Sequence, residues 1–332
     1  MRFGAKSWLN HRQPAHVLGI FSAARLALTL LAVALPAGAQ TEKPTALTPD
    51  ATPTLKVQSN LVAVSAIVRD AAGKPVSGLT RADFLLKQDG KPQPITYFSQ
   101  ASLQGSSLPL TVALMVDTSG SQRNYITDEV VAGRAFFPAM LTRPADRAVL
   151  VQFDSSILQL VKLTTNPTTL EHGLNYLYQS HDDIGPPGRG GTLLFDAICA
   201  VSKIELGNQM GRRAMVILTD GGDNGSRFSA KDAIRAAQAA DIMIYSVYYS
   251  NGGGDLDALN DLSKATGGRV FTVSPTSSLQ QIYADIAADL RLEYQIGYAP
   301  PDLRPNRYHK IDLRTADNKL IVQAREGYFT PK

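Results

Sequence analysis

Between residues 110 and 290, short apolar runs alternate with longer stretches in which apolar residues recur at helical spacing. This is the pattern of βαβ units wrapped around a mostly parallel sheet. Six strands are predicted, at 110–116, 148–153, 157–162, 214–219, 243–248 and 270–273, with helices at 124–141, 168–178, 193–205, 230–240, 256–265 and 279–291. Only Asp154, Ser155 and Ser156 separate the second strand from the third. A parallel crossover needs a dozen residues or more, so that pair is predicted to be an antiparallel hairpin at an edge. The fold class is α/β: a doubly wound, mostly parallel six-stranded sheet flanked by helices, with an accessory small β domain built from the N- and C-terminal flanks.

Both flanks carry two-residue periodicity. Val62, Val64, Ala66 and Val68 alternate along one predicted face, residues 84–87 lead into the hairpin signal Asp89-Gly90, and Ile95, Tyr97 and Phe98 resume a strand. After the last helix Tyr294, Ile296 and Tyr298 alternate, and the runs 308–313 and 320–324 flank a turn at 316–318. Each flank has too few strands to enclose a core alone, so 55–100 and 292–332 are expected to pair around the α/β domain of 108–291. Residues 40–54 are rich in Pro and Thr, nearly devoid of large apolar groups, and read as a linker.

Residues 1–39 have a different character. Arg25 precedes an apolar run that ends at Pro36 and an Ala-Gly-Ala sequence, the layout of a secretory signal peptide cleaved after Ala39. The run is too short to span a bilayer. The leader also accounts for the net charge of +4, because Arg2, Lys6, Arg12 and Arg25 lie in it without any acid. Removing those four from the 33 basic residues leaves 29 against 29 acids, so the remainder has no net field for nucleic acid. Cys199 is the single cysteine, which excludes a disulfide framework and a thiolate metal site and reads as a small buried hydrophobe. A periplasmic or secreted protein is expected, with no transmembrane helix in the mature chain.

The candidate chemistry lies at predicted strand ends. The first α/β strand delivers Asp117-Thr118-Ser119-Gly120-Ser121, the fourth delivers Asp220-Gly221-Gly222-Asp223-Asn224, and Gly188-Arg189-Gly190-Gly191-Thr192 precedes a helix between them. A doubly wound sheet places its ligand crevice at such ends. Two carboxylates and three hydroxyls are hard oxygen donors that suit Mg²⁺ or Mn²⁺. Alone, Asp-x-Ser-x-Ser is also an ordinary helix-capping string; joined with Thr192 and Asp220 it points to metal. Asp223 and Asn224 read as a solvated turn, Gly252-Gly253-Gly254-Asp255 as a flexible loop with a helix cap, and Asp182-Asp183 with 185–188 as a loop that either borders the binding face or is merely mobile.

Asp117, Ser119, Ser121, Thr192 and Asp220, in that order and on those elements, resemble the metal-ion-dependent adhesion site of the von Willebrand factor type A domain family. The resemblance covers roughly residues 108–290. The flanks, with Asp83-Phe84, Asp89-Gly90 and the ending Gly327-Tyr328-Phe329, resemble exported bacterial proteins called VWFA-related. The resemblance implies a Mg²⁺, or Mn²⁺, held by Ser119, Ser121 and, depending on state, Thr192, with Asp117 and Asp220 binding directly or through water. A sixth position then stays open to a Glu or Asp carboxylate of a partner protein. Neutral hydroxyl ligands leave the ion under-compensated and attractive to such a group.

No catalytic residue is assigned. Ser119 and Ser121 lack a Gly-x-Ser-x-Gly elbow, the histidines have no zinc-like spacing, and Gly188–Gly191 is not followed by the Lys-Ser/Thr of a phosphate loop. The reading is an exported, metal-dependent protein-binding module and not an enzyme. The alternative is a structural, scaffold or chaperone protein of the cell envelope whose metal site is non-essential.

Overall fold

The computed structural model describes residues 6–7, 61–100, 108–180, 190–250, 254–302 and 304–330. The leader apart from Lys6 and Ser7, the linker of 40–54, the loop 182–188, and Gly252 and Gly253 lie outside the described residues. After β1 (Lys6–Ser7), the N-terminal flank forms β2 (Val62–Arg69), β3 (Phe84–Gln88), β4 (Lys91–Pro92) and β5 (Tyr97–Gln100). The α/β domain follows as β6 (Leu110–Asp117), α1 (Ile126–Met140), β7 (Arg147–Phe153), β8 (Ile157–Thr164), α2 (Pro167–Ser180), α3 (Leu194–Ala200), β9 (Arg212–Thr219), α4 (Ala230–Ala239), β10 (Ile242–Tyr248), α5 (Leu256–Thr266), β11 (Val270–Thr272) and α6 (Leu279–Leu292). The C-terminal flank returns to strands: β12 (Tyr294–Tyr298), β13 (Tyr308–Thr315), β14 (Ile321–Ala324) and β15 (Gly327–Phe329). A π-helical stretch, Val201–Leu206, extends α3.

The main sheet has the order β1-β8-β7-β6-β9-β10-β11. Strands β7, β6, β9, β10 and β11 are parallel, while β8 runs antiparallel to β7, as the three-residue connection requires. Lys6 and Ser7 add an antiparallel edge beside β8; they belong to the expected leader, and the six strands of the domain are complete without them. Every residue of β6 is buried, because helices cover both faces of this central strand. Val112, Leu114 and Val116 face the core under α1, α2 and α6. Ala113 and Met115 face the core under α3, α4 and α5.

Local chemistry sets the helix boundaries. Ser229 and Asp232 form a capping box at α4, Asp255 caps α5 through Ala258 N–H, and Gly267 ends α5 in the left-handed region at φ 84°. Pro138 lacks the N–H to continue the hydrogen-bond ladder of α1, which stops two residues later.

The flanking strands interleave into two antiparallel sheets, β14-β2-β12-β5 and β15-β13-β3-β4. Val64, Ala66, Phe84, Tyr294, Ile296 and Leu313 are among the residues that fill the space between them. One local expectation, on Ile95, needs correction, and two arrangements go beyond what periodicity predicts. Strand β2 is buried on both faces from Val64 onward, because its second face packs toward the α/β domain, where Ile67 joins the core beneath α6. Strands β13 and β14 flank the turn at 316–318 and enter different sheets: β13 pairs with β3 and β15, and β14 pairs with β2. Ile95 lies outside the strand, which starts at Tyr97.

Ion pairs, the first of them buried, join the sandwich to the α/β domain. Arg69 of β2 binds Asp289 of α6, which also lies 3.4 Å from Arg269. Arg325 lies 3.3 Å from Asp241 and donates to the Gln238 carbonyl.

Candidate functional site

Strand β6 is followed by α1 on one face of the sheet and its neighbour β9 by α4 on the other. The chain therefore leaves β6 and β9 in opposite directions, which opens a crevice at their carboxyl ends. Asp117 terminates β6 in that crevice and is completely buried. Its carboxylate accepts Thr219 Oγ1–H at 2.6 Å and Ser119 N–H at 2.9 Å. Burial pushes the Asp117 carboxyl up from 3.8 to about 6, the bonds from Thr219 and Ser119 act against the rise, and the nearby charge of Asp220 adds to it.

The loop after Asp117 turns tightly enough to bring Ser119 Oγ and Ser121 Oγ within 3.2 Å, and Gln122 Nε2 donates to Ser121 Oγ at 3.3 Å. Both serines are half-buried. Asp220 is buried at the end of β9, and its Oδ1 accepts Gly222 N–H at 2.9 Å. Its carbonyl accepts Asp255 N–H at 3.0 Å, where α5 begins. A Cβ at Gly254 would overlap that same carbonyl oxygen, which explains the glycine before the Asp255 cap.

Thr192 comes in on its own loop. Asn224 Oδ1 accepts Thr192 N–H at 2.7 Å, Asn224 N–H donates to Thr192 O at 3.2 Å, and Leu193 N–H donates to the Asp154 carbonyl. Asp117, Ser119 and Ser121 are thus joined directly, Asp220 is coupled to Asp117 through its charge, and Thr192 is held by a separate network. Asp223 and Asn224 do more than form a solvated turn: Asp223 Oδ1 accepts Phe195 N–H at 3.2 Å and Ser226 Oγ–H at 2.6 Å, fastening the start of α3.

Four residues escaped the sequence reading. Thr219, which fixes Asp117, is the one polar residue ending the apolar run 214–219, and that ending was its only signal. Gln122 and Asn224 act through side-chain bonds across turns that no periodicity reports. Glu129 lies on the buried stripe of α1 with Ile126, Val130 and Phe137. It is 1% exposed and faces Tyr249 across the core. Burial raises its carboxyl well above the usual range, a hydrogen bond with Tyr249 acts against the rise, and the charges of Asp117 and Asp128 add to it. An acid on an apolar helix stripe was the available signal.

The donor set fits a hard divalent cation. The charge of buried Asp220 adds to the raised proton affinity of Asp117, and a cation beside the two carboxylates would relieve that repulsion. The neighbouring hydroxyls are oxygen donors of the kind Mg²⁺ and Mn²⁺ accept. Among the described residues, no group of three or more His, Cys, Asp or Glu side chains could hold a metal, so hydroxyls must complete any shell here. His172 is exposed on α2, His309 is bonded within the sandwich to Gln88 and Asp89, and His181 lies outside the described residues.

Residues 112–222 match a family profile described as von Willebrand factor type A domain, a span that includes all five candidate ligands. No curated protein matches the chain. Among solved structures, the vWF domain of the type V pili tip protein Mfa5 from Porphyromonas gingivalis is 15% identical, with 56% of this chain and 96% of that one covered at a TM-score of 0.43. BatB from Bacteroides thetaiotaomicron is 16% identical, covering 55% and 99% at 0.43. A von Willebrand factor type A protein from Catenulispora acidiphila is 11% identical, covering 77% and 76% at 0.44.

Proposed function

We propose that this chain, which carries a von Willebrand factor type A domain over residues 112–222, is an exported protein-binding module that captures an acidic residue of a partner through Mg²⁺. The observation that carries the reading is the pairing of buried Asp117 with Asp220 beside the Ser119 and Ser121 hydroxyls at the crevice between β6 and β9. Ser119, Ser121 and Thr192 would supply neutral oxygens, and Asp117 and Asp220 would balance the charge directly or through water. When bound, the cation supplies an electrophilic position for a Glu or Asp carboxylate. Mn²⁺ has the same ligand preference and serves as a substitute.

The residues around the ligands perform the orienting work. Thr219 and Ser119 hold the Asp117 carboxylate in one rotamer, Gln122 steers Ser121, and Asn224 fixes the height of the Thr192 loop. These bonds restrict the ligands before the cation arrives, which lowers the ordering cost of binding. No helix among the described residues is long and apolar enough to cross a membrane; export rests on the leader pattern in residues 1–39.

Thermal unfolding in EDTA, Mg²⁺, Mn²⁺ or Ca²⁺ tests the site. At a hundred times Kd a ligand adds about 2.7 kcal/mol, so Mg²⁺ and Mn²⁺ should raise the midpoint by several degrees in the wild type and not in Asp117→Ala. Absence of any shift at millimolar metal would overturn the metal reading and leave the structural or scaffold alternative. Partner capture from an envelope extract should then be lost both with chelator and in Asp117→Ala.

A further inference from the structure

The outer side of α3 carries a cavity of about 120 Å³. Its apolar wall comes from Ile157 at the start of β8, from Cys199, Ala200 and Ile204 of α3 and its π-helical extension, and from Phe228 in the loop after β9. Ile204 is 54% exposed and Phe228 40% exposed, so the mouth is an apolar surface open to solvent. A cavity of about 150 Å³ lodges a benzene ring, which sizes this one for a single aliphatic side chain.

Two features connect the cavity to the metal crevice. The first is the loop 223–228, whose Asn224 holds Thr192 while its Phe228 forms the cavity wall. The second is charge. Asp196, at the cavity rim, is already committed: its Oδ1 accepts Arg227 N–H and Phe228 N–H at 2.9 Å each, and its Oδ2 lies 3.4 Å from Arg227 Nε. What the rim presents outward is therefore cationic, the largely exposed Arg227 guanidinium and the Lys203 ammonium, which sits 5.2 Å over the Phe228 ring.

We propose that this cavity is the specificity pocket of the binding face, receiving one aliphatic side chain of the acidic segment whose carboxylate occupies the metal site; this rests on the metal-dependent reading above. The spacing follows from helix geometry. Cys199 and Ala200 lie five and six residues along α3 from its first residue, Leu194, about 7–9 Å at 1.5 Å per residue, and Thr192 stands two residues before that start. With those two residues counted, an extended chain covers the distance in three or four residues. The occupant is therefore an extended acidic segment with Leu, Ile or Val three or four positions from its metal-binding Glu or Asp.

The test uses the full chain and synthetic Gly/Ser peptides that carry one Glu and one Leu separated by one to six residues, with Leu→Ser and Glu→Gln controls, by fluorescence polarisation in Mg²⁺ and in EDTA. Leu at a separation of three or four should strengthen binding about tenfold or more over Ser, the worth of burying one such side chain. Ala200→Trp fills the cavity and should erase that gain without weakening the Ser peptide. Phe228→Ser, at an exposed position, removes one wall and should reduce the gain if Ala200→Trp fails to fold. A Leu gain that persists in both variants, a gain independent of separation, or no binding by any peptide would overturn the pocket. A Leu gain lost in Ala200→Trp but insensitive to Glu→Gln and EDTA would keep the cavity as an apolar site, overturning both its link to the carboxylate and the metal reading. Glu- and Mg²⁺-dependent binding without a Leu gain would overturn the pocket alone.

Discussion

Replacing Asp117 by Asn changes stability in opposite directions with and without metal, and the structure sets the size of the effect. Burial raises the Asp117 carboxyl from 3.8 to about 6 in the folded chain, a difference worth about 3 kcal/mol at 1.36 kcal/mol per pH unit. Because the folded state holds this proton more tightly than the unfolded state, stability falls as pH rises from about 4 to about 6 and stays lowered above that window. Asn carries no charge at any pH and escapes the loss. It can still accept Ser119 N–H but weakens the bond from Thr219, at a cost of about 1 kcal/mol. In EDTA at pH 7.5, Asp117→Asn should therefore be more stable than wild type by about 2 kcal/mol, or about 5 °C in midpoint. At pH 4 the advantage should vanish. With the proposed metal site, saturating Mg²⁺ should reverse the order, since wild type would gain about 2.7 kcal/mol at a hundred times Kd and the variant would lack a charged ligand. The assay is urea unfolding by circular dichroism at pH 4, 6 and 7.5, with EDTA and with Mg²⁺. An Asn variant less stable than wild type by about 1 kcal/mol or more in EDTA at pH 7.5, with a difference that does not change with pH, would refute the reasoning.

Two further outcomes follow from buried groups away from the ligands. Glu129→Gln replaces a fully buried acid, whose carboxyl is held well above its usual range, by a neutral side chain of the same shape; wild type should lose stability relative to the variant as pH rises above 4.5, and identical denaturation curves at pH 4.5 and 8 would count against a buried acid there. Arg69→Ala should cost about 3 kcal/mol, since removing one partner leaves the buried Asp289 carboxylate with Arg269 alone, and a change below about 1 kcal/mol in urea unfolding would show that the sandwich does not depend on this pair.

The sandwich explains a feature of the chain that the α/β domain alone does not. Glu293 ends α6 and Tyr294 begins β12 without an intervening loop, so the last helix of one domain passes directly into a central strand of the other. Arg212 at the start of β9 lies 3.6 Å from buried Glu293. The base of the main sheet and the root of the sandwich therefore share one ionic contact.

Much of this protein was determined locally by its sequence. The six strands and six helices of the α/β domain were legible because each is a run with its own periodicity, bounded by caps and turns such as Ser229 with Asp232, Asp255 and Gly267. The antiparallel β8 followed from a connection of three residues, and the candidates Asp117 and Asp220 were visible because they sit at the ends of β6 and β9. Tertiary structure decided what depends on residues far apart in the chain. Periodicity showed one apolar face on β2 but could not show that the other packs against α6, since burial of that face depends on a partner 220 residues away in the Arg69 and Asp289 pair. It could not assign β13 and β14 to separate sheets, because strand pairing is chosen by competition among all available edges. The orienting roles of Thr219, Gln122 and Asn224, and the cavity beside Phe228, are likewise invisible to local pattern. A side-chain hydrogen bond or a void is a property of where several segments meet, and a one-dimensional sequence records the segments without the meeting.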